Sequence, residues 1–324
     1  MHNFMFKISS NSNRNRYFHK KYIILLLFLF VFLFFSSKFF LFSSSFQNIF
    51  KNAKESPNFS NDRKVMSVHV LDVQKQDAIY INCNNKHILI DSGEYSSFQT
   101  VDSYLKKHNV KKFDLIVATH PHTDHMGSMS EIIKNYKIEK FLMPQMPYEI
   151  TPTFKSYKLM LQALEEKNVL VLKPNPPEDF QVGDMFITIF APNKEYKNTN
   201  NNSIVMSVAF KNKKILFTGD AEKESEHDIM KKGFDIKANI LKVAHHGSNT
   251  STTTAFLKSV SPEYAVLSTS DEYMEKFGFK EPDSIKRLES FGVKIFRTDL
   301  DGTVIFRTDG EEIKVECEKE RKYN

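Results

Sequence analysis

Three features predict a layered α/β fold, with sheets covered by helices, for most of this 324-residue chain. Short β-rich runs alternate with helical stretches in both halves. Several strands are almost continuously apolar, as strands buried on both faces are. Polar, chemistry-bearing residues gather where those apolar strands end. With 41% hydrophobic and 26% charged residues, the chain can bury a sizeable core and is not a disordered polymer.

Taken in order, MSVHVLDV (66–73), DAIYINC (77–83) and HILID (87–91) read as strands separated by polar turns such as Asn84-Asn85-Lys86. Helical spacing follows over 98–108, and then the apolar strand FDLIVAT (113–119). Helices are expected at 130–136 and 154–167, and strands at 185–192, 204–210 and 214–219. The pattern continues with a helix near 221–232, a strand at 240–243, a helix near 252–260 and a strand at 264–268. A helix near 283–291 leads to final strands at 293–297, 303–307 and 312–317. Cys83 and Cys317 are too few for a disulfide scaffold or a Cys-rich zinc module, and their pairing stays open.

The N-terminal head is of another kind. No acidic residue precedes Glu55, whereas eight Lys or Arg do, so the +6 of the whole chain leaves −2 for residues 55–324. A body-wide phosphate-binding field of the sort basic nucleic-acid proteins carry is therefore not expected. Residues 1–21 form a polar basic head, and 22–42 (YIILLLFLFVFLFFSSKFFLF) are apolar apart from Ser36, Ser37 and Lys38. As a helix that stretch would span about 31 Å, enough to cross a bilayer core. No Ala-x-Ala site follows, so the segment reads as an uncleaved transmembrane anchor; cleavage would make the protein secreted. Positive charge before the span places the N-terminus in the cytoplasm and the body outside the cell. Residues 43–64 read as a linker and 65–324 as the catalytic domain.

The chemistry concentrates at strand ends. The strand 113–119 runs directly into His120-Pro121-His122-Thr123-Asp124-His125, three imidazoles and a carboxylate within six residues. Alternation lets His120 and His122 face one point, and Asp124 and His125 a neighbouring point, as a binuclear metal site requires. Asp220 follows the strand KILFTG, and His245-His246 follow ILKVA. By itself Asp220 would read as a turn residue or helix N-cap, and the histidine pair as either a surface pair or a site. Beside the first cluster both point to function. The other histidines, His2, His19, His69, His87, His108 and His227, lack such company and read as surface or packed residues.

The set HPHTDH, TGDAE and LKVAHHGS resembles the metallo-β-lactamase fold. More narrowly it resembles the stand-alone extracellular hydrolases related to the C-terminal domain of ComEC-type competence proteins. VLDVQKQDAIYI (70–81), ILIDSG (88–93), Asn202-Ser203-Ile204-Val205, ILFTGDAEKESE (215–226), HHGSNTSTTTAFL (245–257) and FRTDLDGTVIF (296–306) carry the likeness. The resemblance implies an αββα sandwich, here preceded by a single N-terminal transmembrane helix, with a site for two divalent metal ions at one sheet edge. It implies zinc first and manganese second. His120 and His122 would hold one ion, Asp124, His125 and His246 the other, and Asp220 would bridge. No histidine lies between His125 and His227, so the third histidine usual in β-lactamase-like enzymes is missing and a β-lactamase is disfavoured. Asn202 or a water would fill that gap, with Ser203 and Ser248 as further substrate contacts. His245 would be left to face the substrate, and Asp124 would hold or accept the proton of the attacking water.

Two segments depart from the family: Gln74-Lys75-Gln76 replaces Gly-Gln-Gly, and Phe277-Gly278-Phe279-Lys280-Glu281-Pro282 replaces Tyr-Gly-His-Pro. The resemblance implies phosphodiester hydrolysis of DNA by a metal-bridging hydroxide. The alternative is a phosphorylcholine esterase, or another hydrolase of small envelope phosphodiesters. Zero tryptophans exclude Trp-rich choline-binding repeats, although a Tyr/Phe cage is open to it. A non-catalytic, membrane-anchored binding module is the third reading, disfavoured by the six-ligand set. No protein partner is indicated.

Overall fold

Strands in this chain are built by alternation. On β1 (Met66–Val70), Met66, Val68 and Val70 face the main core, while Ser67 and His69 face the opposite side of the sheet. The computed structural model describes residues 64–276 and 282–320, within a compact unit, Phe59–Asn324. The anchor expected at 22–42 and the departing segment at 277–281 lie outside the described residues. Among the described residues, no helix is long and apolar enough to cross a membrane.

The first half supplies β2 (Ile79–Cys83), β3 (Lys86–Ile90), β4 (Lys112–Phe113), β5 (Leu115–Val117), β6 (Lys137–Ile138), β7 (Lys140–Leu142) and β8 (Leu170–Leu172). The second supplies β9 (Glu178–Val182), β10 (Met185–Ala191), β11 (Val205–Phe210), β12 (Lys213–Phe217), β13 (Ile240–Lys242), β14 (Tyr264–Leu267) and β15 (Lys294–Arg297). The last hairpin, β16 (Val304–Thr308) and β17 (Ile313–Cys317), returns to the first sheet beside β1. One sheet has the order β17-β16-β1-β2-β3-β5-β7-β8, the other β15-β14-β13-β12-β11-β10-β9, and β4 pairs with β6 apart from both.

Between the sheets lies one apolar layer, with Val68, Ile81 and Ile90 from the first and Ile187, Met206 and Phe217 from the second. Outside the first sheet pack the helices α1 (Phe98–Lys107), α3 (Met129–Asn135) and α4 (Lys155–Glu166); the single turn α2 (Thr123–Met126) carries part of the site. Outside the second pack α5 (Lys223–Lys231), α6 (Thr254–Val260) and α8 (Asp283–Ser290), with the short α7 (Asp271–Lys276) and α9 (Thr298–Asp301) near the sheet ends. The layering is αββα.

The expected strands and helices are present, with ends that differ from the expected bounds by at most three residues. Residues 137–138, 140–142, 170–172 and 178–182 form strands that the sequence pattern did not predict. KFL and LVL are only three residues long, too short for any period to register. Cys83 is buried and Cys317 exposed at the end of β17, and no disulfide joins them.

Topology positions the site. β3, β5, β7 and β8 run parallel, as do β12, β13, β14 and β15, so each sheet sends several carboxyl ends out at one edge. The two edges are stitched together: Ile204 N donates to Thr119 O at 2.9 Å, and Lys242 Nζ donates to Asp77 Oδ2 at 2.9 Å.

Candidate metal centre

After β5 the chain bends at His120 and Pro121, with His122 N donating to His120 O at 3.1 Å, and the extended His122 (φ −89, ψ 153) precedes the first turn of α2. This brings the His120 and His122 rings edge to face, centroids 4.6 Å apart, with His120 Nε2 3.0 Å from His122 Nδ1. The turn then carries Asp124 and His125 inward. Gly127 permits this close fit, since a Cβ there would lie 2.5 Å from Thr123 O and 2.8 Å from both Glu94 Cα and Tyr95 N. The second sheet contributes Asp220 from the loop after β12 and the histidine pair after β13. His245 and His246 both adopt left-handed backbone (φ 49 and 54), a strained arrangement for two successive non-glycine residues.

Five of the six proposed ligands converge, and His122 lies against His120. His125 Nε2 lies 3.3 Å and His120 Nε2 3.5 Å from Asp220 Oδ2. His246 Nε2 lies 3.6 Å from Asp124 Oδ2 and 3.8 Å from Asp220 Oδ1. Two overlapping sets of donor atoms result, His120/His125/Asp220 and Asp124/His125/His246, with His122 beside the first. A third grouping, Asp77, Asp91 and His125, is a support rather than a further site, because its carboxylates are engaged by Lys242, Thr119 and the far side of the His125 ring.

The buried atoms His125 Nε2, His246 Nε2 and Asp220 Oδ1 make no hydrogen bond. Leaving such atoms dry and unpaired costs about 1–3 kcal/mol each, and all three belong to the two overlapping donor sets. Each imidazole is anchored through its other nitrogen, His125 Nδ1 to Asp91 Oδ2 at 2.8 Å and His246 Nδ1 to Ser268 O at 3.1 Å. Nitrogen and carboxylate donors oriented in this way fit divalent metal ions.

Electrostatics agree with that reading. Burial opposes ionisation of Asp220, but His125, His246 and His120 hold its carboxyl well below the usual range. Asp124 is likewise lowered against its burial, by the imidazoles of His246, 3.6 Å away, and His125. Burial opposes charge on His125 too, yet Asp220 and Asp91 raise its pKa well above the usual value. His120 is driven well below its usual value, by burial first and then by His125.

The other proposed residues take different places. His245 is partly exposed, with Nε2 3.9 Å from Asp220 Oδ2, and Nδ1 is 3.2 Å from Thr250 Oγ1 and 3.4 Å from Glu222 Oε1. Asn202 turns away: Oδ1 accepts from Tyr196 N, and Nδ2 donates to Tyr196 O and Asn198 O. Its neighbour Asn200 is the one that reaches His245, with Nδ2 3.5 Å from His245 Nε2. Ser203 Oγ is buried and accepts from Asp220 N at 3.1 Å, which fixes the ligand loop. Ser248 Oγ lies 3.1 Å from Thr250 Oγ1 on the His245 loop. Asp220 is not an N-cap, since Glu222 precedes α5.

Four supporting residues escaped the sequence reading. Asp91, fully buried with φ +57, accepts from Thr119 N, Thr119 Oγ1 and the His125 ring. Asp77 and Lys242 form an ion pair beneath the site, each almost wholly buried. Glu222 underpins His245. Lys242 did leave a signal, a lysine inside an otherwise apolar parallel strand.

Fold and site together define a metal-dependent hydrolase scaffold of the αββα kind. The metallo-beta-lactamase superfamily profile matches residues 71–271, and the chain belongs to that superfamily, whose members are generally metal-dependent hydrolases that bind divalent ions. The chain is similar to ComE operon protein 3 of Bacillus subtilis, 26% identical over 259 residues that cover 74% of this chain and 33% of that protein. It is also similar to competence protein ComA of Neisseria gonorrhoeae, 28% identical over 246 residues, 74% of this chain and 32% of that one. The chain thus spans about a third of the length of these relatives. Among solved structures, the metallo-beta-lactamase fold protein YhfI of Bacillus subtilis superposes with a TM-score of 0.51 at 12% identity, over 76% of this chain and 100% of that one.

Proposed function

We propose that the protein is a binuclear metal-dependent phosphodiesterase acting on DNA, its catalytic domain held outside the cell by the apolar segment 22–42. The observation that carries the hydrolytic reading is the convergence of His125 Nε2, His246 Nε2 and Asp220 Oδ1, buried and without partners, on one edge of the sandwich. Similarity to relatives named competence protein ComA and recombination protein 2 favours DNA among diesters.

His120 and His122 would hold one ion and Asp124, His125 and His246 the other, with Asp220 between them. Divalent ions held there supply Lewis acidity towards a phosphoryl oxygen and lower the pKa of water towards neutrality. The chain's own residues do the remaining work. Asp91 and the Ser268 carbonyl fix the tautomers of His125 and His246, so that both Nε2 lone pairs face inward. Asp124, its carboxyl held ionised, is placed to accept a proton from water. His245, steadied by Glu222 and Thr250, presents Nε2 at the mouth, where a leaving-group oxygen would receive a hydrogen bond.

A second reading, a small envelope phosphodiester such as a choline phosphate, is favoured by the net −2 of residues 55–324, which attracts no polyanion. The test is hydrolysis of bis-p-nitrophenyl phosphate by the detergent-purified chain with zinc or manganese, with His122→Ala beside it. Activity in the parent that is lost in the variant supports a metallophosphodiesterase, and single-stranded DNA against p-nitrophenyl phosphorylcholine then separates the two substrates. Two bound ions without diester hydrolysis overturn the reading.

A further inference from the structure

At the mouth of the site a second side chain, besides His245, has no role in holding ions. Lys75 lies in the turn before β2, where Gln74, at a position that is glycine in the resembled family, takes the left-handed conformation (φ 64). The turn is pinned on both sides: Gln76 Oε1 accepts from Glu94 N and Ser97 Oγ, and Asp77 N donates to Asp124 O at 3.1 Å. Its backbone is thereby set, and the Lys75 side chain projects over the metal loop. The ammonium lies 3.6 Å from Asp124 Oδ2 and 5.3 Å from the centre of the Tyr273 ring, with the side chain 40% exposed. Among the described residues, Lys242 is the other lysine within ion-pair reach of the site's carboxylates. It is 1% exposed and already engaged by Asp77 Oδ2 and Val243 O.

We propose that Lys75, resting on Tyr273, is the residue that recognises the anionic phosphoryl group of the substrate, a role that rests on the phosphodiesterase reading above. The Asp124 oxygen that faces Lys75 also faces His246 Nε2, an orphaned ligand atom. When that carboxylate serves an ion, its charge is neutralised and the ammonium beside it is left to pair with another anion. An ammonium offers three donors around a point charge, which suits the non-bridging oxygens of a diester. The aromatic face restrains the flexible stem in advance, reducing the entropy lost on binding. Without Lys75 the rim beside Asp124 and Glu222 would repel the same substrate.

The test uses the zinc-loaded full chain in detergent, with Lys75→Gln, Lys75→Arg and, as a control for charge loss, Lys294→Gln, whose ammonium stacks on Tyr264 far from the loops. Steady-state hydrolysis of bis-p-nitrophenyl phosphate, calorimetric titration with inorganic phosphate and metal content are read for each. Lys75→Gln is expected to raise KM and the phosphate Kd about tenfold, as loss of one charge-assisted hydrogen bond does. Its kcat should stay within about twofold. Lys75→Arg should recover most of the loss, and Lys294→Gln should match the parent. Unchanged KM and phosphate Kd in Lys75→Gln overturn the proposal. So does a fall in bound zinc that accounts for the effect, because Lys75 would then merely serve Asp124. A parent that holds two ions yet leaves the diester intact overturns the phosphodiesterase reading instead, and the phosphate titration still decides on Lys75.

Discussion

Replacing Asp91 by Asn tests the mechanism that aims His125 at the ions. Asp91 is inaccessible to solvent and accepts three hydrogen bonds, from Thr119 N at 2.8 Å, Thr119 Oγ1 at 2.7 Å and His125 Nδ1 at 2.8 Å. Asn has the same shape and tolerates the left-handed backbone at this position (φ 57). If its oxygen stays on Thr119 N, its NH2 group meets the Thr119 hydroxyl and His125 Nδ1. The hydroxyl can turn to accept, but the imidazole must move its proton to Nε2, the atom that faces Asp220 and the metal position. Metal affinity should fall about 10–100-fold, as loss of a partner behind a ligating histidine does, or about 1.4–2.7 kcal/mol. The metal-free fold should lose only about 1–2 kcal/mol, since the packing is retained. Asp91→Ala, by contrast, strands three buried donors at about 1–3 kcal/mol each and should be unstable without metal. Zinc competition against a chromophoric chelator, together with urea unfolding of the metal-free proteins, separates these effects. Parental zinc affinity in Asp91→Asn would refute the argument, because His125 would then not be held through Asp91.

Gly127→Ala should destabilise the fold by about 1–3 kcal/mol and loosen zinc, because its Cβ strikes backbone atoms of Thr123, Glu94 and Tyr95 that cannot move aside singly; thermal unfolding with and without zinc reads both effects. Lys242→Met leaves Asp77 buried without its partner and should cost about 3–5 kcal/mol, with much of it restored by the added Asp77→Asn, as urea titration of single and double variants would show. His69, held by Tyr104 and Ser67 beneath α1, has its pKa lowered to about 3, by burial first and then by His108 and Arg307. The unfolded chain takes up that proton near pH 6.5 and the folded one near 3, so the stability from a neutral His69 is present above 6.5 and lost as pH falls. His69→Gln should therefore flatten the acid limb between pH 6 and 4 by about 1.4 kcal/mol per pH unit relative to the parent, measured by urea unfolding.

The site was partly legible because part of it is local. His120, His122, Asp124 and His125 lie within six residues after one buried strand, and any chain that forms the strand presents them together. Asp220 and His246 needed the first cluster to be noticed, being ordinary residues at strand ends. Asp91, Asp77 and Lys242 were not singled out, since each is a lone charge whose partner lies 28 to 165 residues away. Asn202 shows the limit of residue type as a guide. Asn200, Asn201 and Asn202 are identical in composition, and only the phase of their 3-10 turn sends Asn200 to His245 and Asn202 back to its own loop.

By itself the amino-acid order determined the alternation of strands and helices, the apolar layers and the metal-ligand types at strand ends, because these follow from periodicity and short-range geometry. Tertiary structure alone decided which carboxylate orients which imidazole, that a buried lysine pairs with Asp77, and that Lys75 stands over Asp124. Those contacts join residues far apart in the chain, and the Lys242–Asp77 pair joins the two sheets, so they form only once the chain has folded. Their specificity comes from distance and dehydration, neither of which is written in the local sequence.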